Sequence, residues 1–285
     1  VSRGALRRLA PLLAHPRYEV LPAASTEQSV LEWVPREVTV TVTASPVRGL
    51  EPTLELAGRL AGHGYRAIPH LSARLVKDQA HLTDIVARLR ADGITDVFVP
   101  AGDADPPAGP FGSALGLLQE LDQLGRPFAN VGITGYPQSH PVIGDDVTIQ
   151  AMWDKRQYAT YLVSNLCFDP RTLRQWISRV RARGVTLPLF VGLAGPIERT
   201  RLLKMAAKAG VAESSRLLAR HGEWFVRLGT PGAYSPGRLL DRVSSALTAE
   251  DAAVDGLHIF TFNQVRQTEQ WRQELLHRAS ARTAS

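Results

Sequence analysis

Glu19 stands in the segment YEVLP, a run that is otherwise largely apolar. A carboxylate on a buried strand must either pair with a cation or sit in a pocket that raises its pKa. A raised carboxyl is a general acid available near neutrality. Asp103 follows Gly102 in a loop rich in proline and glycine, where a short carboxylate commonly caps the loop itself. His70 in IPHLSA and His140 in YPQSHP could join Asp103 around a metal ion. Neither an H-x-H nor an H-E-x-x-H spacing is present, so no metal site is expected. Trp153 and Tyr158 bracket Lys155 and Arg156 on an expected helix, a basic pair able to meet a phosphate. Cys167 follows Asn165 and Leu166 on an apolar run and reads as a packed thiol rather than a nucleophile. No G-x-S-x-G elbow and no Walker sequence occurs, which sets aside serine hydrolase and P-loop chemistry.

These residues depend on elements to position them, and the chain alternates short β-branched runs with stretches of helical spacing. Eight strands are expected: Arg17 to Leu21, Glu37 to Thr43, Tyr65 to Pro69, Asp96 to Pro100, Ala129 to Ile133, Thr160 to Asn165, Leu187 to Val191 and Leu257 to Phe260. Several are apolar at nearly every position, as parallel strands buried on both faces must be. Glu51 to Gly62, Lys77 to Asp92, Ser113 to Leu124, Pro170 to Arg183 and Asn263 to Arg278 carry the spacing of crossover helices. An open six-stranded sheet would alternate too, but the turn after the first strand reads EVLPAAST and lacks the glycine fingerprint of dinucleotide binding. The reading is therefore α/β, a (β/α)8 TIM barrel in a single domain over residues 1–285. Loose termini are expected at about 1–16 and 278–285, with an insertion near 196–249. In such a barrel the site lies at the carboxyl ends of the strands. Those ends offer Glu19, then Thr43 and Ser45, His70, Gly102 and Asp103, Tyr136 with Gln138 and His140, Asn165 with Asp169, and Gly192.

The bulk numbers permit this reading. An apolar fraction of 44% over 285 residues supports a sizeable core. The net charge of +6 is spread along helical segments, so no nucleic-acid stripe is expected. No apolar run reaches the length of a membrane span, and the amino end lacks a signal-peptide cleavage pattern, so the expected location is cytoplasmic. A single cysteine forbids an intrachain disulfide.

Taken in order, the strand-end motifs resemble those of the methylenetetrahydrofolate reductase family, over about Arg17 to Leu276. YEVLP matches the family's F-E-F-F-P-P, with Glu19 on its glutamate; Val42 and Thr43 match its V-T. Pro69, His70 and Leu71 match P-H-L, and Gly102 and Asp103 the G-D of R-G-D. YPQSHP matches Y-P-E-x-H-P, Lys155 and Arg156 its basic pair, NLCFD its Q-F-F-F-D, and HIFTFN its closing H-F-Y-T-L-N. The resemblance implies a barrel flavoprotein of one-carbon metabolism and methionine biosynthesis. It would pass hydride from NAD(P)H through FAD to 5,10-methylenetetrahydrofolate, giving 5-methyltetrahydrofolate. By the same resemblance Glu19 and Asp103 are catalytic, Glu19 protonating the folate N10. Thr43, His70, Gly102, Asp103, Tyr136, His140, Lys155 and Arg156 would hold the flavin. Glu19, Asn165 and Phe262 would contact folate. The chain departs from the pattern at Ala101, where the family has arginine, at Gln138, and at Leu166 and Cys167. Two other readings stay open: a flavin-independent NAD(P)H-dependent folate reductase, and a non-catalytic folate-binding or regulatory barrel subunit. A homo-oligomer or a partner subunit is compatible with all three.

Overall fold

The computed structural model describes residues 1–137, 145–198 and 234–281. Its eight strands are β1 (Arg17–Val20), β2 (Thr39–Val42), β3 (Ala67–Pro69), β4 (Asp96–Phe98), β5 (Asn130–Gly135), β6 (Tyr161–Ser164), β7 (Leu189–Ala194) and β8 (Val254–Phe260). They form one parallel sheet in the order β3-β2-β1-β8-β7-β6-β5-β4. Its two edges meet through a parallel bridge between His70 and Phe98. The Leu71 amide donates to the Phe98 carbonyl (2.8 Å) and the Ala73 amide to that of Pro100 (3.0 Å). The sheet is thus a closed TIM-type barrel, and each expected strand is present with small shifts at its ends.

Alternation along the strands sorts the side chains. Val97, Leu162 and Leu189 point outward into one large core shared with the helices. Their neighbours Phe98, Tyr161, Val163 and Phe190 point inward and join Ile68 in a second cluster inside the barrel. The period-two geometry of a strand produces both sets from one sequence run. The Arg17 guanidinium lies over the rings of Phe190 (3.4 Å) and Tyr161 (4.1 Å), so a stacked cation fills the amino end of the barrel interior.

The helices after β1 to β8 are α2 (Thr26–Trp33), α3 (Glu51–Gly62), α4 (Gln79–Ala91), α5 (Ala114–Gln123), α6 (Asp145–Lys155), α7 (Pro170–Ala182), α8 (Pro236–Leu247) and α9 (Val265–Ser280). The five crossover helices read from spacing correspond to α3, α4, α5, α7 and α9. Within the expected insertion, Pro236–Leu247 forms an ordinary barrel helix, while residues 199–233 lie outside the described residues. The amino-terminal segment departs from expectation. Arg3–Ala14 forms a further helix, α1, in place of a loose end. Ser2 Oγ accepts from the Ala5 amide at its start, and Leu6, Leu9 and Leu13 are buried. At its end Arg272 donates to the carbonyls of Leu13 and Ala14 (both 3.0 Å), satisfying groups that a helix terminus leaves open. The other end also departs: α9 continues to Ser280, and only residues 282–285 fall outside the description.

Candidate active site

Glu19 is the third residue of β1 and shares the inward face with Arg17 below it. Its side chain is 16% exposed, so it sits inside the barrel with access to the mouth. His258 on β8 brings Nε2 to 3.1 Å from Glu19 Oε2. His70, directly after β3, places its Nε2 at 3.8 Å from the same oxygen, beyond hydrogen-bond reach. The sequence left open whether Glu19 pairs with an arginine. The structure gives it histidine neighbours instead, while Arg17 stacks on rings.

Burial pulls the His70 imidazole down to about 4; nearby Glu19 opposes this and His258 reinforces it. His70 is therefore neutral at physiological pH, with its ring tilted against Phe98 at 4.7 Å. His258 is 1% exposed and meets Phe260 edge-on at 4.9 Å. His70 Nε2, His258 Nδ1 and Thr41 Oγ1 are buried without a hydrogen-bond partner. A cluster of orphaned polar atoms around one carboxylate calls for a functional explanation.

The backbone beside Glu19 is fixed by β8. The Thr261 hydroxyl donates to the Glu19 carbonyl (2.6 Å). Phe262 and Asn263 follow in the left-handed region, at φ 50° and 57°. A bulky residue there is strained, and such strain persists only where surrounding contacts enforce it. Asn263 supplies them, accepting from the Leu21 amide (2.7 Å) and donating to the Leu21 carbonyl (3.0 Å) and to Thr26 Oγ1 (2.9 Å). The latch turns the chain so that Phe262 leaves the strand at the mouth.

Across the mouth, β4 and β5 contribute Asp103 and Tyr136. Gly102 has φ 85°, and a side chain there would meet Ser72. Burial pushes the Tyr136 phenol up, and the Asp103 carboxylate adds to the effect. Thr43 follows β2, its carbonyl accepting from Thr53 Oγ1 at 2.9 Å. The Asn165 side-chain oxygen Oδ1 accepts from the Leu166 amide (2.9 Å). Asp169 caps α7 by accepting from the Arg171 and Thr172 amides. Cys167 is buried. His140 lies outside the described residues.

Two expected site residues are placed elsewhere. Lys155 ends α6 and Arg156 follows it, on the way to the amino end of β6, the opposite end of the barrel from Glu19. Arg156 stacks on Trp153 at 3.3 Å, and Trp153 packs beside Gly184, just before β7. Burial pulls the Lys155 ammonium down to about 8, partly opposed by Asp154. The reason is topological: crossover helices run antiparallel to the strands, so their carboxyl ends sit away from the catalytic face.

That placement bears on the flavin. A flavin dinucleotide needs cations or a ring of amide donors for its diphosphate. The family's arginine position is Ala101, and the basic pair is at the far end. Among the described residues, two arginines on carboxyl-end loops are held by carbonyls, Arg48 by Pro22 (2.6 Å) and Arg74 by Ala104 (2.6 Å). Arg74 also reaches Gly112 and Asp105. Among the described residues the donor set does not fit a flavin dinucleotide.

Sequence reasoning passed over His258, although HIFTFN was noted. Its alternation with Phe260 and Phe262 was the available signal, since residues two apart share a strand face.

Among solved structures, an oxaloacetate acetylhydrolase in complex with oxalate is 12% identical, covering 84% of this chain and 94% of its own at a TM-score of 0.45. A protein described as a lyase/mutase from Burkholderia cenocepacia J2315 is 15% identical, covering 88% and 99% at 0.46. Both likenesses are weak. The family model for methylenetetrahydrofolate reductase matches residues 23–223, most of the chain, and takes in the ends of β2 to β7 but not Glu19 or His258. By that match the chain belongs to the methylenetetrahydrofolate reductase family.

Proposed function

We propose that this protein reduces 5,10-methylenetetrahydrofolate to 5-methyltetrahydrofolate, with hydride passing directly from NAD(P)H to the folate. The observation that carries the reading is the Glu19 carboxyl, held by His258 just inside the mouth of a barrel of this family. Glu19 gives its proton to N10 as the bond from N10 to the methylene carbon breaks, and that bond's electron pair stays on N10. The carbon becomes an iminium on N5, accepts hydride from the nicotinamide and leaves a methyl group. The nicotinamide is oxidised, and Glu19 recovers a proton from water. Asp103, an anion across the mouth, favours the cationic iminium, because fixed charge acts strongly where water is excluded. Thr43, Tyr136, Asn165 and Phe262 line the ring of strand ends where the pterin would lie. Folate and nicotinamide are thus the proposed partners, in a cytoplasmic setting.

Direct transfer is preferred to the flavin route because, among the described residues, the cations for a flavin diphosphate are not gathered at the carboxyl face. The test is an absorbance spectrum of the purified protein after incubation with FAD and desalting, paired with a nicotinamide oxidation assay. Folate-dependent oxidation by colourless protein is expected. Retained flavin bands would restore the flavin route. Colourless protein without oxidation would leave the non-catalytic subunit reading.

A further inference from the structure

We propose that His258 is a positioning residue that holds Glu19 Oε2 as a hydrogen-bond acceptor and so assigns the acid proton to Oε1. The inference rests on Glu19 as the proton donor of the reaction above, and it adds which oxygen carries the proton and what sets that choice.

The argument is one of hydrogen-bond accounting. His258 Nε2 lies 3.1 Å from Glu19 Oε2, while His258 Nδ1 is buried with no partner. A neutral imidazole carries its proton on one nitrogen only. With the proton on Nδ1, a buried N–H would be left without an acceptor, which native structures rarely tolerate. With the proton on Nε2, the ring donates to Oε2, and only a bare acceptor is left at Nδ1. The second arrangement is favoured, and it occupies Oε2. A proton arriving on Glu19 then resides on the other oxygen.

The surroundings leave this control to His258. His70, the other titratable group beside Oε2, is 3.8 Å away and neutral, so it neither donates to that oxygen at hydrogen-bond distance nor places charge beside it. Arg17, below on the same strand, is occupied by the rings of Tyr161 and Phe190. Thr41, opposite Glu19 on β2, carries no charge. The His258 ring is itself held edge-on by Phe260. A donor fixed on Oε2 stabilises the carboxylate that proton transfer leaves behind, a gain realised as the proton departs.

The first measurement uses the wild-type protein. Two-bond proton–nitrogen correlation spectra of labelled histidine report which ring nitrogen of His258 bears the proton. Protonation at Nε2 is expected, and protonation at Nδ1 alone overturns the proposal. The second compares His258→Leu, which removes the donor, with His258→Gln, whose amide can replace Nε2. His258→Leu should lower kcat at least about tenfold, within the range of acid–base contributions, with KM moving less than about twofold. It should also move the resonance of the carbon-labelled Glu19 carboxyl, since its hydrogen-bond donor is lost. His258→Gln should restore most of both. If Gln behaves like Leu while both melt as the wild type does, the proposal fails. The Glu19 resonance is read without substrate, so a protein inactive on folate whose Glu19 still responds to residue 258 would sink the functional reading and leave this one standing.

Discussion

Glu19 bears on turnover and His70 on stability. Glu19→Gln keeps the size of the side chain but removes its proton, and turnover should fall at least about a hundredfold, the lower range of a general-acid contribution. Unchanged steady-state turnover would remove Glu19 from the mechanism. His70 acts on stability. Its folded pKa is about 4 against an ordinary 6.5, so between those values the unfolded chain binds more protons than the folded one. Stability is complete above about pH 6.5 and is lost as pH falls toward 4. At ~1.36 kcal/mol per pKa unit, about 2 kcal/mol is lost by pH 5. Denaturant titrations at pH 7 and pH 5 should show that loss, and His70→Gln should be less sensitive by that amount. Glu19 was legible in the sequence as a carboxylate in an apolar run. His258 was not singled out, because a histidine on a buried strand looks alike whether it meets a carboxylate or a carbonyl, and only closure of β8 onto β1 decides between them.

Among the elements, α1 is the one whose role spacing did not reveal. Leu6, Leu9 and Leu13 fall at helical intervals, yet Pro11 and a run of arginines weaken the pattern. What secures the helix is remote in sequence. Arg272 on α9 holds its last carbonyls, pairs with Glu269 (2.8 Å) and is 2% exposed, while Tyr18 from β1 donates to the same Glu269 (2.7 Å). Arg272→Leu would leave Glu269 as a buried carboxylate stripped of its cation, and breaking such a pair costs about 3–5 kcal/mol. A urea titration should register a loss of that size, and a loss under about 1 kcal/mol would show that the pair carries little. The crossover helices α3, α4, α5, α7 and α9 were legible because each has a clear apolar stripe. Lys155 and Arg156 were expected in the site because motif order along the chain does not say which end of a helix faces the ligand.

At the scale of the whole molecule, eight strands counted from apolar runs become eight strands in a ring, and the barrel was the most legible feature of all. Parallel strands buried on both faces write themselves into sequence as uninterrupted β-branched stretches. The sequence did not reveal where the ring is thinnest. β3 and β4 meet through one bridge, and each reaches the seam beside a proline, Pro69 and Pro100, that has no amide proton to give. Such a ring should open at its weakest join before it unfolds as a whole. In deuterated water the Leu71 and Ala73 amides, which bridge the seam, should therefore trade their protons well ahead of Val40 in β2 and Leu162 in β6. Equal protection at all four would mean that the barrel opens only as one unit. Unequal protection would mean that the wall carrying His70 parts and reseals while the rest of the barrel holds, so that isotope reaches the floor of the barrel interior from the side rather than through its mouth.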